Sequence, residues 1–235
     1  MTATVTNINE KRRTAVAFRS TPDESKLHVN AILSAIGAAS TDAGRPILCN
    51  VKITLSKEAG EMKLVATNSY RANRMRINTI NPIEDDAEFM VNVKELKAAL
   101  PKPSEFKAKG TDYLVLTWFP GERELDAGQL GLTWGNNQRI LRAEPCATGS
   151  SFGQYPDVEA LFGSHEKETS SGQHTDDPVG WHPEFLADIC NECKRLDKEN
   201  PVRMDLGITP LKPAIFTFNV PTVSYECLLM PVRLT

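Results

Sequence analysis

One order of secondary structure recurs three times along this chain of 235 residues. Each time, the residue pattern predicts a strand, then an amphipathic helix, then three further strands. In the first occurrence the helix is indicated by apolar residues at helical spacing, namely Leu27, Ile32, Leu33 and Ile36. One helix on its own few strands cannot bury both of their faces, so the units should pair or assemble. The sequence therefore predicts an α+β protein of repeated β-α-β-β-β units, with the helices on one face of antiparallel sheets.

The three units divide the chain into four predicted segments. Residues 1–13 are polar and are predicted to be a disordered tail, and residues 14–145 hold the first two units as one domain. Residues 146–178 include a long stretch rich in Gly, Ser, Thr and Asp, a composition that predicts a linker. The third unit is predicted at residues 179–235, as a half or reduced domain.

Composition and charge limit the classes of function. Hydrophobic residues make up 40% of the chain and charged residues 24%, which is ordinary for a soluble globular protein. No apolar run approaches the roughly 18 residues of a membrane span, so no membrane partner is predicted. The five cysteines are scattered and odd in number, which indicates reduced thiols and a cytoplasmic protein. A net charge of −3 argues against a uniformly basic nucleic-acid binder but allows basic residues on one face.

No residue pattern predicts a catalytic site. The chain has no glycine-rich phosphate loop and no nucleophile with an evident base. Cys190 and Cys193 form a C-x-x-C pair with His182 nearby, but they fall inside a predicted helix and lack a second pair. A buried thiol is therefore favoured over a zinc site. We predict no enzymatic activity, no cofactor and no metal.

Three tryptophans, Trp118, Trp134 and Trp181, lie on predicted strands. Exposed aromatic residues interleaved with Lys and Arg would indicate a single-strand nucleic-acid binding module. Aromatic side chains on strands are more often part of the core. The core interpretation is preferred here.

Four segments, in this order, resemble the DNA polymerase III β sliding clamp family of bacteria and phages. They are RPILCNV at residues 45–51, LVATNSYR at 64–71, GQYPD at 153–157 and LMPVRL at 229–234. The second segment departs from the family, which has Asp-Gly-His where this chain has Asn-Ser-Tyr. Family subunits have three domains of two units each, so three units correspond to about one and a half clamp domains.

The resemblance implies a DNA clamp fold and a function in replication. It implies a non-enzymatic processivity factor that encircles duplex DNA, without reading its sequence, as a homo-oligomeric ring. Such a clamp tethers DNA polymerase and the clamp loader, which bind it through short linear peptides. The alternative is a clamp-like phage interaction protein that binds clamp partners without encircling DNA.

A clamp needs basic residues on the helices that line its ring, because phosphates attract cations whatever the base sequence. The predicted helices offer such residues at or near their ends. The candidate DNA-binding residues are Lys26, Lys94, Lys97, Lys102, Lys194, Arg195 and Lys198. The alternative is that these side chains only solvate their helices.

A second predicted site is the pocket that receives partner peptides. The resemblance assigns its walls to the second of the four segments, to the linker and to the C-terminal strand. The residues are Thr67, Tyr70, Arg71, Pro156, Leu161, Leu228, Met230, Pro231, Val232 and Arg233. Methionine suits a pocket that accepts several peptides, because its side chain is flexible and polarizable. The alternative is that Leu228 and Met230 are ordinary core residues of a strand.

Overall fold

The computed structural model describes residues 15–106, 113–123, 125–146, 154–169 and 175–232. Within them, eleven strands form one continuous sheet, and four α-helices pack on its two faces. The tail predicted at residues 1–13 lies outside the described residues. No helix in the described ranges is both long enough and apolar enough to cross a membrane.

The first two units have the predicted order of elements. The first consists of β1 (Val16–Arg19), α1 (Ser25–Ala35), β2 (Asn50–Ser56), β3 (Glu61–Thr67) and β4 (Arg71–Asn78). The second consists of β5 (Ala87–Asn92), α2 (Val93–Ala99), β6 (Val115–Phe119), β7 (Gly128–Trp134) and β8 (Asn137–Pro145). The Asn92 side chain begins α2 by accepting hydrogen bonds from the backbone N–H groups of Lys94 and Glu95.

The third unit lacks a full first strand. It consists of α4 (Pro183–Leu196), β9 (Arg203–Asp205), β10 (Ala214–Val220) and β11 (Val223–Leu229). Where the sequence predicts its first strand, the structure has a single bridge between Gly180 and Val232. This stretch is four residues long between Pro178 and Pro183, and neither proline can donate a hydrogen bond to a neighbouring strand.

The segment predicted as a linker contains a helix, α3 (Val158–Thr169). Val158 and Phe162 lie one helical turn apart and are buried in a cluster with Val65 and Leu228. These strand residues alternate with the residues of the main core, so α3 covers the face of the sheet opposite to α1, α2 and α4. The domain boundaries themselves stay predictions.

The order of strands shows how the units are joined. The sheet runs β1-β6-β7-β8-β5-β2-β3-β4-β11-β10-β9. β1 pairs with β6 and β5 pairs with β2, so the first two units exchange their first strands. β4 pairs antiparallel with β11, from Arg71 opposite Leu229 to Ile77 opposite Val223. The third unit therefore extends the sheet of the first.

The main core lies between the sheet and helices α1, α2 and α4. Its fully buried side chains include Phe18, Ile32, Phe89, Phe218 and Tyr225. Trp118 and Trp134 are also buried, and the Trp118 ring stacks on Phe89 with 4.6 Å between ring centroids. Burial of each such side chain stabilises the fold by about 1.5–3 kcal/mol. These two tryptophans are core residues and are not available to stack on bases.

A buried histidine connects the first unit to the third. The Nδ1 atom of His28 on α1 lies 2.8 Å from Ser20 Oγ, and its Nε2 atom lies 3.3 Å from Thr222 Oγ1 in the β10–β11 turn. Burial lowers the pKa of His28 from 6.5 to about 4, although Glu24 nearby opposes the shift. The folded protein therefore holds this histidine neutral at pH values where the unfolded chain would protonate it.

This histidine predicts a loss of stability in mild acid. Because its pKa is lower in the folded state, its contribution is fully present above pH 6.5 and is lost as the pH falls toward 4. The loss amounts to at most about 3 kcal/mol. Urea unfolding at a series of pH values should show a steeper decline for the wild type than for His28→Gln. Equal slopes for the two proteins would contradict this assignment.

Candidate nucleic-acid interface and peptide pocket

The helix side of the sheet carries the seven basic residues predicted to bind DNA. All seven are exposed: Lys26 on α1, Lys94 and Lys97 on α2, Lys102 after α2, Lys194 and Arg195 in the last turn of α4, and Lys198 just after it. Their three helices pack against one common core. The helices that carry the predicted cations therefore lie on one side of the sheet.

Most of these cations form no ion pair among the described residues. Among the described residues, only Lys198 of the seven forms an ion pair, at 3.9 Å from Glu199. Arg195 donates a hydrogen bond to Ser34 Oγ at 3.2 Å, which ties part of its side chain to α1. Lys194 and Arg195 also lie at the C-terminal end of α4, where the helix dipole stabilises cations. Exposed cations on this side of the protein can attract phosphates. Lys194 and Arg195 also stabilise the C-terminal end of α4.

The turn between β3 and β4 holds Tyr70 at the surface. Asn68 Oδ1 accepts hydrogen bonds from the backbone N–H groups of Tyr70 and Arg71, both at 3.0 Å, and Thr67 Oγ1 donates to the Arg71 carbonyl at 2.8 Å. Ser69 has a φ of 78°, in the left-handed region, which tightens the turn. Tyr70 is 60% exposed, whereas Thr67 is buried.

The C-terminal strand passes directly beside this turn. Leu228 lies opposite Ala72 in the β11–β4 pair, and the Met230 backbone N–H donates to the Tyr70 carbonyl at 2.9 Å. Two residues later, Val232 donates to Gly180. Leu228 is buried, while Met230 and Val232 are 40% and 42% exposed. Strand pairing thus brings Tyr70 and Met230 together from positions far apart in the sequence.

The segment after residue 153 covers the neighbouring face of the sheet. The Tyr155 hydroxyl lies 3.1 Å from the Val65 carbonyl, to which it can donate, and the ring belongs to the same buried cluster as Leu228. Pro156 is exposed, and Leu161 is 53% exposed on α3 beside the buried Phe162. Both predicted pocket residues from the linker are therefore accessible at the edge of this cluster.

Arg71 lies in the core and not on the pocket surface. Its side chain is 3% exposed and forms ion pairs with Glu192 at 3.1 Å and Asp188 at 3.2 Å. Its guanidinium also lies 5.9 Å from the centre of the Phe185 ring. Of the predicted pocket residues, the structure exposes Tyr70, Pro156, Leu161, Met230 and Val232, half-buries Pro231, and buries Thr67, Arg71 and Leu228. Arg233 lies outside the described residues.

Glu192 of α4 is the centre of the polar network that contains Arg71. Its buried carboxylate accepts hydrogen bonds from the Tyr225 hydroxyl at 2.7 Å and from Asn73 Nδ2 at 2.9 Å. Burial raises the pKa of Glu192, and the charge of Arg71 opposes that shift. The site is closely packed, since a Cβ atom on Gly37 would clash with a carboxylate oxygen of Glu192. The network joins α1, β4, β11 and α4, and so attaches the third unit to the first.

The two cysteines of the C-x-x-C pair on α4 differ in exposure. Cys193 is buried and Cys190 is exposed, and burial raises the pKa of the Cys193 thiol to about 12. Within the described ranges, no three His, Cys, Asp or Glu side chains are grouped so that they could hold a metal ion. Cys193 packs in the core with Ile189, which agrees with the buried-thiol interpretation.

Two aromatic residues at the predicted pocket were not assigned to it from the sequence. The Phe185 ring on α4 stacks with Tyr70, with 6.2 Å between centroids and 25° between planes. Tyr155 lies in the GQYPD segment that carries the resemblance, so its position in the sequence could have indicated it. Phe185 has no such signal, because only the folding of α4 onto β4 brings it to Tyr70.

Comparison with proteins of known sequence gives matches to one kind of protein. No protein-family model matches the chain. The β sliding clamp of Streptococcus pneumoniae, from two strains, is 31% identical to it over 141 residues, which are 59% of this chain and 32% of that protein. The chain thus aligns with about a third of the length of these curated relatives.

Solved structures extend the likeness to almost the whole chain. The β subunit of the DNA polymerase of Streptococcus pyogenes aligns with a TM-score of 0.63 at 18% identity, over 94% of this chain and 66% of that one. The DNA polymerase III β subunit of Thermotoga maritima aligns with a TM-score of 0.62 at 15% identity, over 95% of this chain and 67% of that one. The predicted resemblance to β sliding clamps and the predicted clamp fold are both confirmed.

Proposed function

We propose that this chain, which has the fold of a β sliding clamp, is a DNA sliding clamp. It acts as a non-enzymatic processivity factor that encircles duplex DNA as a homo-oligomeric ring in the cytoplasm. Its C-terminal peptide pocket tethers DNA polymerase and the clamp loader. The observation that carries the proposal is the side of the sheet on which α1, α2 and α4 lie, since these helices carry exposed cations.

A ring explains how an acidic protein can hold DNA. The net charge is −3, so the surface as a whole does not attract phosphates. Cations gathered on the helix side give a local, sequence-independent attraction that allows sliding. The remaining hold on DNA is topological and requires a closed ring. Because this chain has only three units, a closed ring requires several copies of it.

The pocket proposal depends on exposed apolar side chains around the C-terminal strand. Tyr70 and Met230 are joined by a backbone hydrogen bond, and Val232 lies two residues further along, bridged to Gly180. Leu161 projects from α3, whose buried residues contact the Leu228 cluster. Apolar anchors of a short peptide bind best in such a place, with exposed backbone and polar groups at the rim to orient them. The buried Thr67 and Leu228 support the pocket from below.

Retention on circular DNA tests the proposal. The protein is incubated with a nicked circular plasmid, a bacterial clamp loader and ATP, and bound protein is separated by gel filtration. A clamp stays on the circle and is lost when the plasmid is linearised, because it slides off the ends. Equal retention on circular and linear DNA, or none on either, would contradict the proposal. Peptide binding without loading would favour the clamp-like interaction protein, which the similarity to β sliding clamps does not favour.

The pocket gives a separate prediction. Replacing both Met230 and Leu161 with alanine should weaken the binding of a clamp-binding peptide by about tenfold to a hundredfold, because two apolar anchor contacts are lost. Fluorescence anisotropy with a labelled peptide measures this. The matched control replaces Ile80 and Leu125, which are also exposed apolar residues outside the pocket. Equal affinity of the two double variants would remove the pocket assignment.

A further inference from the structure

Helix α3 lies across the strands of the outer face of the sheet. Near the start of the helix, Glu159 pairs with Lys63 of β3 at 3.0 Å. Near its end, Glu168 pairs with Lys212, just before β10, at 2.8 Å. Since β4 and β11 lie between β3 and β10 in the sheet, the helix crosses these two strands as well. Ion pairs thus hold α3 near both of its ends.

Arg74 of β4 is a buried cation beneath the middle of this helix, with its Cζ atom 4.1 Å from the centre of the Phe162 ring. Nη1 donates to Glu159 at 3.0 Å, and Nη2 donates to Glu166 at 2.8 Å. On the other side, Nε and Nη2 donate to Glu226 of β11 at 2.7 and 2.9 Å. The planar fork of an arginine suits several carboxylates in fixed directions, whereas the single ammonium group of a lysine does not. Arg74 therefore joins α3 to β4 and β11.

The bonds to Arg74 fix the rotation of α3 about its own axis. Glu159 and Glu166 are seven residues apart, which is close to two helical turns, so they share one flank of the helix. Leu161 and Glu168 have the same spacing and share another flank. The buried Phe162 lies between the two flanks, on the side that faces the sheet. Because Arg74 holds the first flank, the direction of Leu161 on the second is set.

The second flank faces the end of the sheet at which the proposed pocket lies. Glu168 marks its direction, because its partner Lys212 lies just before β10. The first residue of β10 lies opposite Leu229, and Met230 follows directly. The flank that carries Leu161 therefore faces the end of the sheet that carries Met230.

We propose that Arg74 is a positioning residue of the peptide pocket. By fixing the rotation of α3, it places Leu161 at the rim of the pocket, while its own side chain stays covered by the helix. The inference rests on the proposed pocket and names the residue that holds one of its walls in place. Apolar burial alone would not do this, because it has no fixed direction, whereas four hydrogen bonds to one guanidinium do.

Removal of the two carboxylates of α3 that contact Arg74 tests the proposal. E159A/E166A leaves Arg74 paired on β11, and alanine favours the helix, so the variant should fold. Its affinity for a labelled clamp-binding peptide should fall about threefold to tenfold, because one apolar anchor is no longer held in place. The control E58A/E122A removes the same charge from exposed turns of the first two units and should bind like the wild type.

A second pair of variants keeps the charge and changes only its geometry. R74K retains a cation but loses the fork of donors, and it should weaken peptide binding about threefold. R76K is the matched control, because Arg76 lies on the same face of β4 and, among the described residues, forms an ion pair with Glu226 and with no residue of α3. It should bind the peptide like the wild type.

Double variants distinguish a positioning role from a general loss of structure. In the E159A/E166A background, L161A should weaken binding no further, because Leu161 has already left the pocket. M230A should keep its full effect there, since Met230 is held by its own backbone hydrogen bond to Tyr70. Fluorescence anisotropy with the labelled peptide measures each affinity, and the differences give the coupling.

Three results would overturn the role of Arg74. One is that E159A/E166A and R74K bind the peptide like their controls. Another is that L161A weakens binding equally with and without the two carboxylates. The third is tighter binding by E159A/E166A, because α3 would then cover a peptide site instead of building its wall.

Retention on circular DNA keeps this inference apart from the proposed function. If M230A weakens peptide binding while the α3 variants bind normally, the pocket stands and the role of Arg74 is wrong. If the α3 variants lose affinity as expected but the wild type is not retained on circular DNA, the role of Arg74 stands and the clamp function is wrong.

Discussion

Replacement of Arg71 by alanine is expected to lower the free energy of unfolding by about 3–5 kcal/mol. The variant removes the buried cation that faces Glu192 at 3.1 Å and leaves the carboxylate without its counter-charge. Tyr225 and Asn73 still donate hydrogen bonds, but they cannot neutralise the charge. Because the network attaches α4 to α1 and β4, the contact between the third and first units should weaken most.

The pH dependence of this loss identifies its cause. The pKa of Glu192 is raised in the folded protein, and removal of Arg71 should raise it further. A raised carboxyl pKa means that the folded state holds a proton that the unfolded state releases, so stability falls as the pH rises above the unfolded pKa of about 4.5. The defect of R71A should therefore be smaller in acid and deepen toward neutral pH.

A double variant provides the matched control for Arg71. In R71A/E192Q the residue at position 192 can still hydrogen-bond to Tyr225 but carries no charge. This protein should be more stable than R71A at neutral pH, and its stability relative to E192Q should not change with pH in this range. Chemical unfolding of the single and double variants gives the coupling energy. Additive effects of the two substitutions would show that Arg71 and Glu192 are not coupled.

Charge reversal at the end of α4 is expected to weaken duplex binding by about tenfold to a hundredfold at low salt. Lys194 and Lys198 are exposed, and Lys194 has no ion-pair partner among the described residues. Loss of two phosphate contacts should also lower the slope of log affinity against log salt by about 2. Fluorescence anisotropy of a labelled duplex across a salt series measures both quantities for K194E/K198E. Arg195 is left unchanged because it bonds to Ser34.

The control for this experiment changes net charge equally on the other side of the sheet. Arg142 is exposed there, and Lys212 pairs with Glu168 of α3. R142E/K212E should keep the wild-type salt slope, because these cations are far from the helix side. If both double variants weaken binding equally, attraction depends on overall charge, and the helix side has no special role.

The order of elements could be predicted from the sequence because it depends on local periodicity. Apolar residues from Leu27 to Ile36 recur at helical spacing, and those of β2 alternate, so each reports its own secondary structure. Burial of Cys193 followed from its place on the apolar face of α4. The four motif segments indicated the clamp fold for the same reason, since each is contiguous in the chain.

Helix α3 could not be predicted in this way. Its buried residues are few, Gly163 within it lowers its helix propensity, and the surrounding composition is typical of a linker. Its apolar side is stable only against the outer face of the sheet, which other parts of the chain build. A local pattern cannot report a surface that exists only after folding.

The direction of Arg71 was likewise decided by tertiary structure. Arg71, Asn73 and Met75 point inward along β4, while Ala72 and Arg74 point outward. Arg71 and Arg74 are both buried, one on each face, so polarity alone does not show which face either side chain takes. Glu192, far away in the chain, supplies the charge that makes the inward position of Arg71 stable.

By itself, the sequence determined a helix followed by three strands in each of three units, their order and their likeness to clamp domains, because these depend on neighbouring residues. Only the tertiary structure decided which strands are exchanged, which face of β4 each arginine occupies, and that α3 covers the outer face of the sheet. Those outcomes depend on pairing between distant segments, where hydrogen bonds and charges are matched only once the sheet has formed.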